Sequence, residues 1–214
     1  MSALPSIFVS HGAPSLLLEG GATVEFLAGL GPALGRPQAI LCVSAHWDLP
    51  APRVSAVARP GTIHDFHGFP PELYRLHYPA PGAPLLAGRV VDALGGAGIE
   101  CALDPGRGLD HGAWVPLACM YPQADIPVAQ LSVSSARGAG WHLALGRALA
   151  GLRREGVLVL ASGAATHNLR DFGRYRLDDA PPAYVTEFDA WLEQDIAAGD
   201  AEGVCDYRAR APQA

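Results

Sequence analysis

The sequence predicts a single α/β domain, in which a largely parallel or mixed central sheet carries helices on both faces. Short apolar runs alternate along the chain with stretches of helical periodicity, which is the pattern of βαβ units. The 214 residues suffice for one well-buried domain, so we expect residues 1–214 to form a single catalytic unit. A hydrophobic share of 50% with only 17% charged residues is typical of a compact globular protein rather than a disordered one.

Strands are predicted where an apolar run is too short to form an independent helix. In chain order these runs are Ser6–Ser10, Ala39–Ser44, Arg53–Ala58, Pro127–Val133 and Val157–Ala161.

Helices are predicted where apolar residues recur on one face at helical spacing. They cover Ala22–Leu34, Pro84–Ala97, Trp141–Arg154 and Tyr184–Ala198. Residues 64–84 lie between these elements and are rich in proline, glycine and aromatic residues. A loop of this length inside a compact domain is usually functional.

Charge and hydropathy exclude several classes of partner. A net charge of −6 and a pI near 5.7 argue against nucleic-acid binding, for which a basic patch is expected. No apolar run approaches the roughly 20 residues that a membrane-spanning helix needs. The first residues lack the basic start and apolar segment of a signal peptide, so a cytoplasmic location is expected.

Three of the predicted strands are followed closely by a histidine: His11, His46 and His167. Ligand sites of open α/β sheets lie at the carboxyl ends of the strands, and neutral imidazole is the commonest protein ligand for transition metals. We therefore predict that the three side chains converge on one metal ion, with His11 and His46 on neighbouring strands.

A fourth histidine, His111, follows Asp110 between two glycines, which predicts a tight, exposed turn near the same site. In the long loop, His64 and Tyr74 are the candidate substrate-binding residues. Asp65 is the nearby carboxylate that can hydrogen-bond a metal-bound histidine.

Several catalytic motifs are absent from the sequence. It contains no GxGxxG after the first strand, no GxxxxGK[ST] and no HExxH. Ser44 and Ser162 lie near strand ends, but neither has the flanking glycines of a GxSxG nucleophile elbow. Dinucleotide, P-loop, zincin and serine-hydrolase chemistry therefore lose support.

Five motifs between Ser10 and Leu169 carry a family resemblance: SHGAPS, SAHWD, HDFxGFPPELYRLxYPAPG, GLDHGAWVPL and SGxxxHNL. Together they resemble the class III extradiol ring-cleavage dioxygenases, in particular the branch similar to DOPA 4,5-dioxygenase. The resemblance implies an α/β fold with one non-haem metal, Fe²⁺ in active enzymes and often Zn²⁺ as isolated. By motif, His11 and His46 match metal ligands, His167 matches a ligand or an acid/base, and His111 matches a pocket residue.

The implied activity is the O₂-dependent ring opening of a catechol, DOPA-like or another dihydroxybenzene, with His111 and His167 as the catalytic candidates. The implied partners are a small aromatic diol and O₂, and nothing indicates an oligomeric state. Members of this branch normally continue into a segment whose histidine, in an EHFLPL-like motif, completes the metal triad. This chain ends at YRARAPQA, so a domain without that segment is expected, with His167 as the candidate replacement ligand.

Two alternatives remain open. One is a zinc-bound, catalytically impaired relative that acts as a binding protein. The other is a zinc-dependent hydrolase, which needs an activated water and a carboxylate base. Asp48 and Asp110 are the candidates for that base.

Overall fold

The computed structural model describes residues 3–171, 173–176 and 179–213. Its strands are β1 (Ser6–Ser10), β2 (Ala39–Asp48), β3 (Arg53–Ser55), β4 (Ala102–Asp104), β5 (Val128–Val133) and β6 (Val157–Gly163). They form one sheet in the order β1-β6-β2-β5-β3-β4. All neighbouring strands are parallel except β3 and β5, which are antiparallel. The predicted α/β class and mixed sheet are confirmed.

The helices are α1 (Leu16–Glu19), α2 (Ala22–Leu34), α3 (Pro84–Gly96), α4 (His111–Met120), α5 (Gly138–Leu149), α6 (Ala183–Ala198), α7 (Ala201–Cys205) and α8 (Tyr207–Arg210). Short 3₁₀ turns add to them, including one that extends α5 through Ala150–Glu155. Within the part of the chain that the structure describes, none of the helices is both long and apolar enough to cross a bilayer.

Helices cover both faces of the sheet, as predicted. Successive side chains of a strand point to opposite faces. Ile40 and Cys42 of β2 accordingly lie in a core cluster with Leu27 of α2 and Trp114 of α4. Leu41, between them, lies in a second cluster with residues of α3 and α5.

The strand order corrects one expectation. His11 and His46 do not follow neighbouring strands, because β6 lies between β1 and β2. The three strands are parallel, so their carboxyl ends still meet at one edge of the sheet. Three chain segments therefore meet at the carboxyl edge of the central strands. Ser162 of β6 lies between the segments that carry His11 and His46.

The expected exposed turn at His111 is also wrong. His111 is the first residue of α4 and is only 6% exposed, and the preceding Asp110 is fully buried. The Asp110 carboxylate caps the helix by accepting a hydrogen bond from the Ala113 backbone N–H at 3.2 Å. The helix is apolar on all sides, which is the pattern of a buried helix, and interior Pro116 obscures it in the sequence.

Helix α2 packs against α4 through Gly31, which supplies a test of this packing. A Cβ at Gly31 would overlap the backbone carbonyl of Met120, whereas a Cβ at Gly29 in the same helix meets nothing within 4 Å. We expect Gly31→Ala to lower the free energy of unfolding by about 1–3 kcal/mol, the usual cost of overpacking. Gly29→Ala should instead raise it by up to about 1 kcal/mol through helix propensity. Urea denaturation measures both, and equal stability of the two variants would contradict the packing.

Candidate active site

Three imidazoles meet at the carboxyl edge of the sheet. His11 directly follows β1, His46 lies near the end of β2, and His111 begins α4. The ring centroids of His11 and His46 are 4.8 Å apart, those of His46 and His111 are 3.9 Å apart, and those of His11 and His111 are 5.2 Å apart. Residues distant in sequence thus form one compact cluster.

The geometry of this cluster fits a metal ion. One nitrogen from each of the three rings lies within 4.8 Å of the other two. His11 Nε2 and His46 Nε2 are 2.9 Å apart. Two imidazole nitrogens that bind one ion at about 2.1 Å each lie roughly 3 Å apart, so the pair is already spaced for a shared ion.

Each buried imidazole has its Nδ1 held by a neighbour. His111 Nδ1 lies 2.9 Å from Asp65 Oδ1, which also accepts the His111 backbone N–H at 3.0 Å. His11 Nδ1 lies 2.9 Å from Ser162 Oγ. Partners of this kind orient metal-bound histidines. Asp65 therefore lies where the sequence placed a carboxylate partner for the site.

Burial and mutual repulsion favour the neutral imidazoles that a metal requires. Burial, with smaller contributions from His46 and His111, lowers the pKa of His11 to about 3. Burial and the proximity of His111 also lower the pKa of His46. Burial alone would raise the pKa of Asp65, but hydrogen bonds from His111 outweigh it and hold that pKa at about 2. The lowered pKa values of His11 and His46 favour the lone pairs that a cation needs, and the ionised Asp65 carboxylate adds negative charge close to them.

A buried hydrogen-bond network around Asp110 fixes the start of α4. Its Oδ1 accepts from Ser44 Oγ at 2.6 Å, and its Oδ2 accepts from the Arg107 guanidinium at 2.7 Å and from the Gln130 amide. The first turn of α4 requires glycine at position 112, because a Cβ there would crowd Ser44 Oγ and the His46 ring. Asp110 therefore positions His111 without facing the imidazole cluster itself.

The cluster forms one wall of a cavity of about 430 Å³. His167 lines the same cavity, in the segment after β6, so the structure brings together the four histidines considered as metal ligands or catalytic residues in the sequence. Phe69, from the long loop, and Leu169 add apolar surface. The complete lining is Ser10, His11, Gly12, Ala13, Pro14, His46, Phe69, His111, Ala164, Thr166, His167, Asn168, Leu169 and Asp171.

The two predicted substrate-binding residues lie outside that lining. His64 Nε2 donates to the Leu76 carbonyl at 3.0 Å, and the Tyr74 hydroxyl accepts the Phe69 backbone N–H at 3.4 Å. Both rings pack near Phe66, whose edge meets His111 at a centroid distance of 5.7 Å. They thus contact the site only through Phe66 among these rings, and a direct role in substrate binding stays a prediction.

Sequence reasoning missed Ser162 as a partner of His11 and Phe69 as a cavity residue. The sequence indicates Ser162 only as a serine near a strand end, because no local pattern predicts a hydrogen bond across 151 positions. Phe69 belongs to a loop with several aromatic residues, and the sequence does not distinguish which of them lines the cavity. Only the length of the loop indicates a functional role, and it does so for the loop as a whole.

Neither candidate base for a zinc hydrolase faces the cavity. Asp48 is bound to the Ser135 backbone N–H and hydroxyl at the surface, and Asp110 is enclosed by its own network. Among the described cavity residues, Asp171 is the carboxylate, and it is bound by Asn168, Arg174 and Tyr184. The geometry thus removes the support for hydrolysis.

Comparison with known proteins agrees with the site. The chain is 45% identical over 194 residues to the 4,5-DOPA dioxygenase extradiol of Escherichia coli K12, covering 90% of this chain and 70% of that protein. It is 44% identical over 211 residues to the protein of the same name from Beta vulgaris, covering 97% and 78%. The crystal structure of an uncharacterized Escherichia coli K12 protein superposes with a TM-score of 0.73 at 39% identity, covering 88% of this chain and 72% of that one.

A family description also matches nearly the whole chain. Residues 7–214 match LigB, the catalytic LigB subunit of aromatic ring-opening dioxygenase. The chain therefore belongs to the LigB family of extradiol ring-opening dioxygenases.

Proposed function

We propose that this protein opens the ring of a catechol, DOPA-like or another dihydroxybenzene, next to its two hydroxyl groups, with Fe²⁺ as the metal. The observation that supports this most strongly is the cluster of His11, His46 and His111 on the wall of a cavity large enough for one aromatic ring. Two relatives carry the name 4,5-DOPA dioxygenase extradiol, which points to a diol of that kind.

We assign the metal to His11 and His46, with His111 as the third nitrogen of the described cluster. Nε2 of His11 faces the centre, because its Nδ1 is turned to Ser162, and the same holds for His111, whose Nδ1 is turned to Asp65. Fe²⁺ would supply the one-electron chemistry through which O₂ reacts with an aromatic diol. Zn²⁺ binds similar donors but has no redox chemistry, which favours iron for a dioxygenase.

His167 is the residue we assign to proton transfer. It lies on the cavity wall in the segment after β6 and outside the compact cluster of three rings. Imidazole exchanges protons near neutral pH, so His167 would accept a proton from a diol hydroxyl and return one during ring opening. Phe69 and Leu169 would hold the ring and exclude water.

The function is tested by loading the metal-free protein with Fe²⁺ under anaerobic conditions and adding catechols, DOPA among them, with O₂. We expect O₂ uptake and a yellow semialdehyde product that is heavier than the diol by one O₂ molecule. Use of ¹⁸O₂ should place both labelled atoms in the product. No product from any catechol, with iron demonstrably bound, would favour the impaired, metal-binding alternative.

Two single variants separate the roles of His111 and His167. We expect His167→Ala to keep its iron and to lose roughly 10²–10⁴-fold in kcat, the usual contribution of a positioned acid/base. His111→Ala should lose iron as well as activity. Bound iron is measured by elemental analysis after gel filtration.

The opposite pattern would reverse the assignment. If His167→Ala loses iron and His111→Ala retains it, the ligand set is His11, His46 and His167, with His111 as the acid/base. That is the set that the sequence alone predicted.

A further inference from the structure

Two serines occupy matching positions in the carboxyl-terminal halves of the central strands β2 and β6. Ser44 of β2 and Ser162 of β6 are partners in the parallel register, and both are buried, at 0% and 3% exposure. Each hydroxyl donates to the beginning of α4. Ser44 Oγ donates to Asp110 Oδ1, and Ser162 Oγ donates to the Gly112 carbonyl.

The remaining contacts of the two hydroxyl groups differ. Ser44 Oγ accepts a backbone N–H, that of His46, at 3.2 Å. Ser162 Oγ lies 2.9 Å from a ring nitrogen, His11 Nδ1. One serine thus contacts the main chain of a site histidine, and the other contacts the imidazole itself.

The donor count of Ser162 determines the tautomer of His11. A serine hydroxyl has one proton to donate, and that of Ser162 is committed to the Gly112 carbonyl. His11 Nδ1 must then be the donor in its contact with Ser162. A neutral imidazole carries one N–H, so the lone pair of His11 is on Nε2, which lies 2.9 Å from His46 Nε2 at the centre of the cluster.

We propose that Ser162 is a positioning residue that holds His11 in the Nδ1–H tautomer and directs its Nε2 lone pair to the metal. Ser44, its register partner, secures only the backbone and the cap of α4. In this role Ser162 needs neither the glycines of a nucleophile elbow nor a general base, because it performs no nucleophilic step. The role therefore explains why a buried serine lies beside a histidine in a protein that lacks GxSxG. It rests on the proposed metal site, but its first readout concerns the metal-free protein.

The test compares Ser162→Ala with Ser44→Ala as the matched control. Both variants remove one buried hydroxyl that binds the start of α4, and only the first removes the acceptor for His11 Nδ1. Long-range ¹H–¹⁵N spectra of histidine-labelled, metal-free protein report the tautomer, and a His11→Gln variant assigns the signals. We expect Nδ1–H in the native protein and in Ser44→Ala, and a shift towards Nε2–H in Ser162→Ala.

The second readout is affinity for Zn²⁺ alone, measured by competition with a chelator. Loss of a hydrogen-bond partner of a metal ligand typically costs 10–100-fold in affinity, so Ser162→Ala should bind about that much more weakly. Ser44→Ala should lose clearly less. Ser162→Thr keeps the hydroxyl and should restore both the tautomer and the affinity.

An unchanged His11 tautomer in Ser162→Ala overturns the proposal, as does an equal loss of zinc affinity in both alanine variants, since that would indicate packing alone. If Ser162→Ala does not fold, Ser162→Cys, with its weak acceptor, and Ser162→Thr provide the same comparison. A native protein that shows the Nδ1–H tautomer but binds no divalent metal would leave Ser162 as the tautomer-setting residue and refute the proposed metal site.

Discussion

Replacing His46 with alanine should remove the bound metal and abolish ring opening. His46 contacts both other rings of the cluster, with its Nε2 2.9 Å from His11 Nε2 and its ring centroid 3.9 Å from that of His111. Its loss leaves two imidazoles, which is one fewer than the three protein ligands of an ordinary catalytic metal site. The drop in metal affinity should exceed the 10–100-fold that loss of a ligand's hydrogen-bond partner costs.

Iron stoichiometry and initial rates of O₂ uptake measure this effect. His142→Gln is the control, because His142 is a histidine outside the cavity whose ring accepts the Ser134 backbone N–H and donates to the Gly138 carbonyl. The control should retain native iron content and native kcat. A His46→Ala protein that binds one equivalent of iron as tightly as the native protein would refute His46 as a ligand.

Replacing Asp110 with alanine should produce the largest loss of stability among the variants considered. Asp110 is fully buried and accepts hydrogen bonds from Ser44, Arg107, Gln130 and the Ala113 backbone. Breaking a wholly buried ion pair costs about 3–5 kcal/mol, and since the Arg107 side chain is 22% exposed we expect a loss near the lower end of that range. The same change removes the cap of α4, so His111 should also lose its position and the metal should bind more weakly.

Denaturant unfolding measures the free energy of unfolding. Two companion variants identify which interaction of Asp110 causes the loss of stability. Asp110→Asn retains an acceptor for the cap but not the charge that pairs with Arg107, so its loss should be smaller than that of Asp110→Ala. Asp125→Ala breaks the exposed pair with Arg36 and should destabilise the protein far less than Asp110→Ala, because solvent screens an exposed ion pair. Comparable losses at Asp110 and Asp125 would show that burial of the Asp110 network contributes little.

Local patterns predicted much of the secondary structure. Strand β1 and helix α2 have the bounds expected from apolar run length and periodicity. The predicted bounds of helices and strands were less complete where tertiary packing overrides the local preference of the residues for helix or strand. Strand β2 continues to Asp48 through a register irregularity after Ser44, and α4 forms despite Pro116 because it is buried on all sides.

The amino-acid sequence by itself determined which residue types reach the edge of the sheet, since a short apolar run that ends in a histidine places an imidazole at the end of a strand. Only the tertiary structure decided the strand order and the partner of each imidazole. β6 lies between β1 and β2, so Ser162 reaches His11, and the long loop folds back so that Asp65 reaches His111. Hydrogen bonds between residues far apart in the chain depend on how the elements pack, and no local pattern encodes that packing.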